Sequence, residues 1–248
     1  MTRPVALVTG GCRRLGAHIA ARLGEAGYDV AYHGRSAAVP DRWLAQRLNA
    51  AGARHHGVAA DLDDAASVAA LVGSVADRFE APVDLLVNNA SRFDVGDPGL
   101  ASMAAMTRHF TANVAAPVML AEAVAAQGVE AAVVNILDQR IAHPPRDQLA
   151  YTLSKQALAE ATRTLATSLA PRVRVNGVAP GLTLPTGDYA AAQLARLAET
   201  MPLRRLPDPD DVADAVLFLA RARSTTGQII FVDGGAGLTR FDRDFVNM

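Results

Sequence analysis

Lysine is almost missing from this chain. Of its 24 basic residues 23 are arginine, and the exception is Lys155. Arginine replaces lysine at little cost where only surface charge matters. It cannot do so where a compact ammonium with an adjustable pKa is needed. The solitary lysine therefore marks a candidate chemical site, although a chance survivor would look the same. Cysteine is as scarce: one residue, Cys12, excludes an internal disulfide and any cysteine-built metal centre. The six histidines show no ligand spacing, so no metal is expected. Charge of one sign is not in excess, since the formal net charge is −1, and this argues against nucleic-acid or membrane-surface partners. No apolar run reaches the ~18 residues of a membrane span, because even 112–126 carries Asn113, Pro117 and Glu122. Only Val5 to Val8 are apolar before Thr9-Gly10-Gly11, so no signal peptide is expected and a cytoplasmic location is.

What is present is a rhythm. Short Val- and Leu-rich runs at 4–8, 29–33, 55–59, 83–87, 131–137, 172–178 and 228–232 read as strands buried on both faces. Between them lie helical patterns near 14–26, 41–51, 64–79, 100–126, 149–170 and 210–222. In the first, Gly16, Ile19, Ala20 and Leu23 share one face. Such alternation predicts an α/β fold, a doubly wound parallel sheet flanked by helices. Prolines 185, 202, 207 and 209 interrupt 182–208, which reads as a substrate loop with a short helix around 189–199. No domain boundary is visible over 1–248.

After the first strand comes Thr9-Gly10-Gly11-Cys12-Arg13-Arg14-Leu15-Gly16. Glycines let a backbone turn tightly against a pyrophosphate, whose charge meets the N-terminus of the next helix. The second strand ends Tyr32-His33-Gly34-Arg35-Ser36, with no carboxylate for a ribose 2′-hydroxyl. An arginine and a hydroxyl suit a 2′-phosphate instead, at about 1.5–3 kcal/mol per charge-assisted bond, so NADPH is the expected cofactor. A solvated surface arginine is the plainer alternative. Asp61-Leu62 would put a carboxylate near the adenine amine, and Asn88-Asn89-Ala90 would let the chain pass beneath a nucleotide; each is also compatible with simple turn chemistry.

Tyr151 and Lys155 are four residues apart, hence on one helix face. A phenol with an ordinary pKa of about 10 is a poor acid–base group at neutrality. Bringing it to about 8 takes roughly 2.7 kcal/mol of preference for the phenolate, expected from Lys155 and a positive nicotinamide ring.

The ordered set of glycine turn, Asn88-Asn89-Ala90, Asn113, Tyr151-x-x-x-Lys155 and Pro180-Gly181 resembles the short-chain dehydrogenases/reductases from end to end. The resemblance implies a single Rossmann domain with a seven-stranded parallel sheet. It implies Tyr151 as proton donor, Lys155 on the ribose, and Asn113 supporting a water relay. Cofactor contacts are implied for Gly10, Arg13, Arg14, Leu15, Gly16, His33, Arg35, Ser36, Asp61, Leu62, Asn88, Ala90, Lys155, Pro180 and Gly181. The family usually has a serine thirteen residues before the tyrosine; here Asp138 stands there. A carboxylate would repel a developing oxyanion and suits a nitrogen-rich ring better. The pteridine reductases share this Asp138–Tyr151–Lys155 spacing, and so do the bacterial dihydromonapterin reductases. The former also resemble the chain at Arg14, at Arg35-Ser36-Ala37-Ala38 and at Ser91-x-Phe93, while Gly34, Arg92 and the 182–200 loop depart from them. A pterin or folate substrate is implied, touched by Arg14, Ser91, Phe93, Asp138 and Tyr151, with Phe93 stacking on its ring or else merely plugging a loop. A homotetramer is implied too, and in several such tetramers the tail after Val232-Asp233-Gly234-Gly235 reaches a neighbour's site, a question left open for this chain. Two other readings stand beside this one: a carbonyl reductase, as on 3-oxoacyl thioesters, and a non-catalytic NADPH sensor.

Overall fold

The computed structural model describes residues 3–94, 102–185 and 189–248. Seven parallel strands form one sheet in the order β3-β2-β1-β4-β5-β6-β7. They are β1 Val5–Val8, β2 Asp29–Gly34, β3 His55–Ala59, β4 Val83–Asn88, β5 Ala131–Ile136, β6 Val173–Pro180 and β7 Ile229–Val232. The helices are α1 Arg14–Glu25, α2 Arg42–Ala50, α3 Ala65–Phe79, α4 Met103–Phe110, α5 Ala116–Ala126, α6 Leu149–Ser168, α7 Ala191–Thr200 and α8 Pro209–Arg221.

Strand periodicity explains the unbroken apolar runs. Ala6 and Val8 point to one side, where α1, α2 and α8 add Ile19, Leu23, Leu44, Leu48 and Val216. Val5 and Leu7 point to the other, where α3, α5 and α6 add Leu71, Val75, Leu120, Val124 and Leu165. Both faces are covered, so alternate residues have no polar option. The expectation of burial on both faces fails at the sheet margins. Edge strand β3 is half-exposed, as is β7, where Phe231 is 42% exposed. An edge strand lacks a neighbour on one side, and less helix covers it.

The long helix expected over 100–126 is broken; its first two residues lie outside the described ones. A π turn at Thr111–Ala115 separates α4 from α5. Pro117 has no N–H to offer the carbonyl of Asn113, and the regular ladder stops there. The turn carries Asn113 into the interior, 1% exposed. In the 182–208 segment α7 forms as expected, and its Leu197 packs with Met201, Ala236 and Phe245. Strand order reverses between β1 and β4, which opens a crevice at their carboxyl ends.

Candidate active site

A cavity of about 970 Å³ fills that crevice, within the range of known ligand sites. At one end lies the turn after β1. Gly10 has φ +61°, and a Cβ on Gly16 would lie 2.2 Å from the Gly10 carbonyl oxygen, so only glycine lets the turn close. Arg14 occupies the left-handed region at φ +52°, where the family pattern has glycine. Its Nη2 donates to the Leu184 carbonyl at 2.5 Å, tying the turn to the substrate loop. No acidic side chain stands in the first turn of α1 and no side chain caps it, so its N–H groups face the cavity ready for an anion. The cradle fits a dinucleotide pyrophosphate.

His33 braces the same turn from β2. Its Nδ1 accepts from Gly10 N–H at 3.1 Å, and its Nε2 donates to the Ala60 carbonyl at 2.8 Å. Burial lowers its pKa, which preserves the neutral ring that this pairing requires. Thr9 Oγ1 accepts from Asn89 N and Ala90 N at 2.9 and 3.0 Å. Asn89 Nδ2 returns to the Thr9 and Gly10 carbonyls at 2.9 and 3.2 Å. Asn88, expected at the cofactor, is not on the cavity wall. It is the last residue of β4 and points into the sheet's interior, donating to Asn135 Oδ1 at 2.9 Å. Successive residues face opposite sides, and it is Asn89 that lines the cavity.

Arg35, Ser36, Asp61 and Leu62 line the cavity's outer end. Arg35 is 63% exposed, and its guanidinium meets Asp61 Oδ2 at 3.1 Å and Asp63 Oδ2 at 3.2 Å. Arg92 Nη2 meets Asp63 as well, at 2.5 Å. The backbone N–H of Asp63 and then Arg35 hold the Asp61 carboxyl below the usual carboxylate range. A 2′-phosphate would have to share Arg35 with these carboxylates, a competition invisible in the local motif.

The other end is built from β5, the 3₁₀ turn Gln139–Ile141 and α6. Tyr151 Oη donates to Asp138 Oδ2 at 3.0 Å, and Asp138 Oδ1 accepts from Arg140 N at 3.0 Å. Lys155 Nζ donates to the Ile136 carbonyl at 2.9 Å and lies 5.7 Å from the Tyr151 ring centre. Phe93 meets Tyr151 edge to face, ring centres 4.9 Å apart. Pro180 and Gly181 border the same space, with Arg13, Leu15, Ala90 and Ser91.

Two expectations change here. Asn113 does not reach the cavity. Its Oδ1 accepts from Arg92 N at 2.7 Å and its Nδ2 donates to the Arg92 carbonyl at 3.0 Å and to Ser154 Oγ at 2.9 Å. It clamps the segment bearing Phe93 to α6. The Tyr151 phenol is not lowered in the free chain but pushed well above the ordinary tyrosine value, by burial first and by the Asp138 charge next. Burial also pulls the Lys155 ammonium down, to about 8. Asp244, Phe245 and Val246 also line the cavity. Sequence reasoning missed Asp244 and also Arg140, a buried cation 4.6 Å from the Tyr151 ring centre. The one available signal for Arg140 was its place two residues after Asp138.

A family model described as enoyl-(acyl carrier protein) reductase matches residues 11–237. The FolM alternative dihydrofolate reductase 1 of Brucella canis, solved in complex with NADP, is 40% identical; the match covers 95% of each chain at a TM-score of 0.84. Pteridine reductase 1 of Leishmania tarentolae is 35% identical over 96% of this chain and 98% of its own. An actinorhodin polyketide ketoreductase solved with NADPH is 26% identical, over 96% of this chain and 98% of that one, at a TM-score of 0.85.

Proposed function

The chain belongs to the short-chain dehydrogenase/reductase family of oxidoreductases, and from that premise we propose that it is an NADPH-dependent reductase of dihydropterins. Substrates of dihydromonapterin, dihydrobiopterin or dihydrofolate type fit the reading. The observation that carries it is the 3.0 Å contact between Tyr151 and Asp138 on the cavity wall. A carboxylate at that place accepts from amino and ring N–H groups, which a pterin presents and a simple ketone does not. Similarity to the dihydrofolate and pteridine reductases supports the same substrate class.

NADPH, when bound, supplies the hydride. The turn from Gly10 to Gly16 and the α1 N-terminus would hold its pyrophosphate, with Arg35 and Ser36 at the 2′-phosphate and Lys155 at the ribose. Phe93 offers an aromatic face to the flat ring, and Arg14 and Ser91 polar edges. Tyr151 keeps its proton because its phenol is buried beside a carboxylate. That makes it a loaded donor for the ring nitrogen next to the reduced carbon, directly or through Asp138 or a water. Family resemblance supports a cytoplasmic homotetramer with no nucleic-acid or membrane partner.

The test is NADPH consumption against dihydromonapterin, dihydrobiopterin, dihydrofolate and an acetoacetyl thioester side by side. Turnover of one or more pterins is expected; turnover of the thioester alone would overturn the reading in favour of a carbonyl reductase. Tight NADPH binding without oxidation on any of them would leave a sensor.

A further inference from the structure

Arg140 has no part in the reading above, yet it is a buried cation of the cavity wall held between two carboxylates. It is 6% exposed. Its Nε stands 3.2 Å from Asp138 Oδ1, an ion pair without the alignment of a hydrogen bond. Nη1 donates to Thr152 Oγ1 at 3.3 Å, and Nη2 donates to the Asp244 carboxylate. The central carbon of the guanidinium lies over the Tyr151 ring, 4.6 Å from its centre, and 5.8 Å from that of Phe93. A buried guanidinium is tolerated only when its fork is matched by carboxylates, and here one comes from each side.

Asp138 is thereby fixed in rotation. The backbone N–H and the Nε of Arg140 both address Oδ1, so Oδ2 is the oxygen turned to the Tyr151 hydroxyl. The far partner is itself anchored. Asp244 N–H donates to Asp147 Oδ1 at 2.7 Å, and Asn247 Nδ2 donates to Asp147 Oδ2 at 2.7 Å. Gln193 Nε2 on α7 donates to the Phe245 carbonyl at 2.9 Å, and Phe245 packs with Leu197 and Met201.

We propose that Arg140 is the positioning residue that orients Asp138 toward Tyr151, and that the C-terminal segment, acting through Asp244, is a working part of the site rather than a cover over it. The inference rests on Tyr151 and Asp138 being the proton-handling pair. It does not depend on the ring being a pterin. Loss of the Asp244 charge leaves Arg140 with one carboxylate and frees Asp138 to follow it. Lysine at position 140 keeps the charge but cannot address Asp138 and Asp244 at once.

The experiment compares Asp244→Asn, Asp244→Glu, Arg140→Lys and Arg140→Met with the wild type, on whichever of the pterins or the thioester the wild type reduces. Asp244→Asn and Arg140→Lys are expected to lower kcat about tenfold or more, the scale of a lost charge-assisted contact. The KM for NADPH should stay within about twofold, and Asp244→Glu should recover part of kcat. Unchanged kcat in Asp244→Asn, or loss only through KM, would overturn the proposal. A second readout needs no substrate: in protein carrying 3-fluorotyrosine, the ¹⁹F resonance that disappears in Tyr151→Phe is expected to shift in Asp244→Asn and Arg140→Met. A resonance unmoved in both overturns the inference, whatever the substrate assay finds.

Discussion

Arg35 and Arg140 both face carboxylates across one cavity, yet the first side chain is 63% exposed and the second 7%. At the exposed end the ion pairs with Asp61 and Asp63 sit in water, where such pairs contribute little and are screened by salt. Arg35 can exchange a carboxylate for a phosphate at small cost. At the buried end the pairs of Arg140 with Asp138 and Asp244 are withdrawn from water, and removing one partner costs about 3–5 kcal/mol. The exposed end can exchange one anion for another. The buried end holds the Tyr151 hydroxyl against Asp138 in a set geometry.

The comparison breaks most visibly at Tyr151. Tyr151→Phe should lower kcat about 10²–10⁴-fold, as expected for a lost general acid, with Lys155→Arg close behind. Steady-state NADPH oxidation measures both, and near-wild-type turnover in the pair would remove the buried end from the chemistry. Asp138→Ser comes next: pterin turnover should fall about a hundredfold while ketone reduction improves, since a hydroxyl no longer repels an oxyanion. An unchanged ratio of the two activities would make Asp138 a bystander.

Titration sharpens the contrast. The free chain's Lys155 ammonium loses its proton near pH 8 because burial lowers its pKa to about that value. Below that pH the ammonium is charged and can hold the cofactor ribose; above it the contribution is lost. NADPH dissociation constants from fluorescence quenching should therefore rise about tenfold between roughly pH 7 and 9. Lys155→Met should flatten the curve, and a curve equally steep in that variant would assign the titration to another group.

Smaller effects belong to the exposed end. Arg35→Ala should weaken NADPH about tenfold and NADH less than about twofold, with the difference shrinking as salt rises. Equal weakening of the two would mean that Arg35 does not touch the 2′-phosphate. The smallest change has the opposite sign. Asp63→Asn removes a competitor for Arg35 and Arg92 and should tighten NADPH by about two- to threefold. Weaker binding in that variant would show Asp63 helping the phosphate site, not competing with it.

Legibility divides along the same line. The glycine turn, the Arg35-Ser36 pair and the Tyr151–Lys155 spacing are local patterns, and the residues that compose them do line one cavity. Asn89, not Asn88, faces the cavity, because which of two adjacent residues faces a crevice depends on where the strand ends. Asn113 lies in the interior rather than on the cavity wall. Its side chain turns to Arg92 and Ser154, partners distant in sequence. Arg140 was one arginine among 23, and Asp244 lies 104 residues beyond it. Nothing in either neighbourhood announces the other.

Sequence alone determined the layering of this protein and the chemistry of its turn. Apolar strands must be covered on both sides, helical spacing puts Tyr151 beside Lys155, and a turn that admits no Cβ must be glycine. Each is a consequence of backbone periodicity or of steric size over a few residues. The tertiary structure decided which charges lose their water. Burial raises the Tyr151 phenol, pulls Lys155 down and makes Arg140 depend on two carboxylates. Desolvation and Coulomb energy depend on distance through space, and that distance exists only once the tail has folded back onto the sheet.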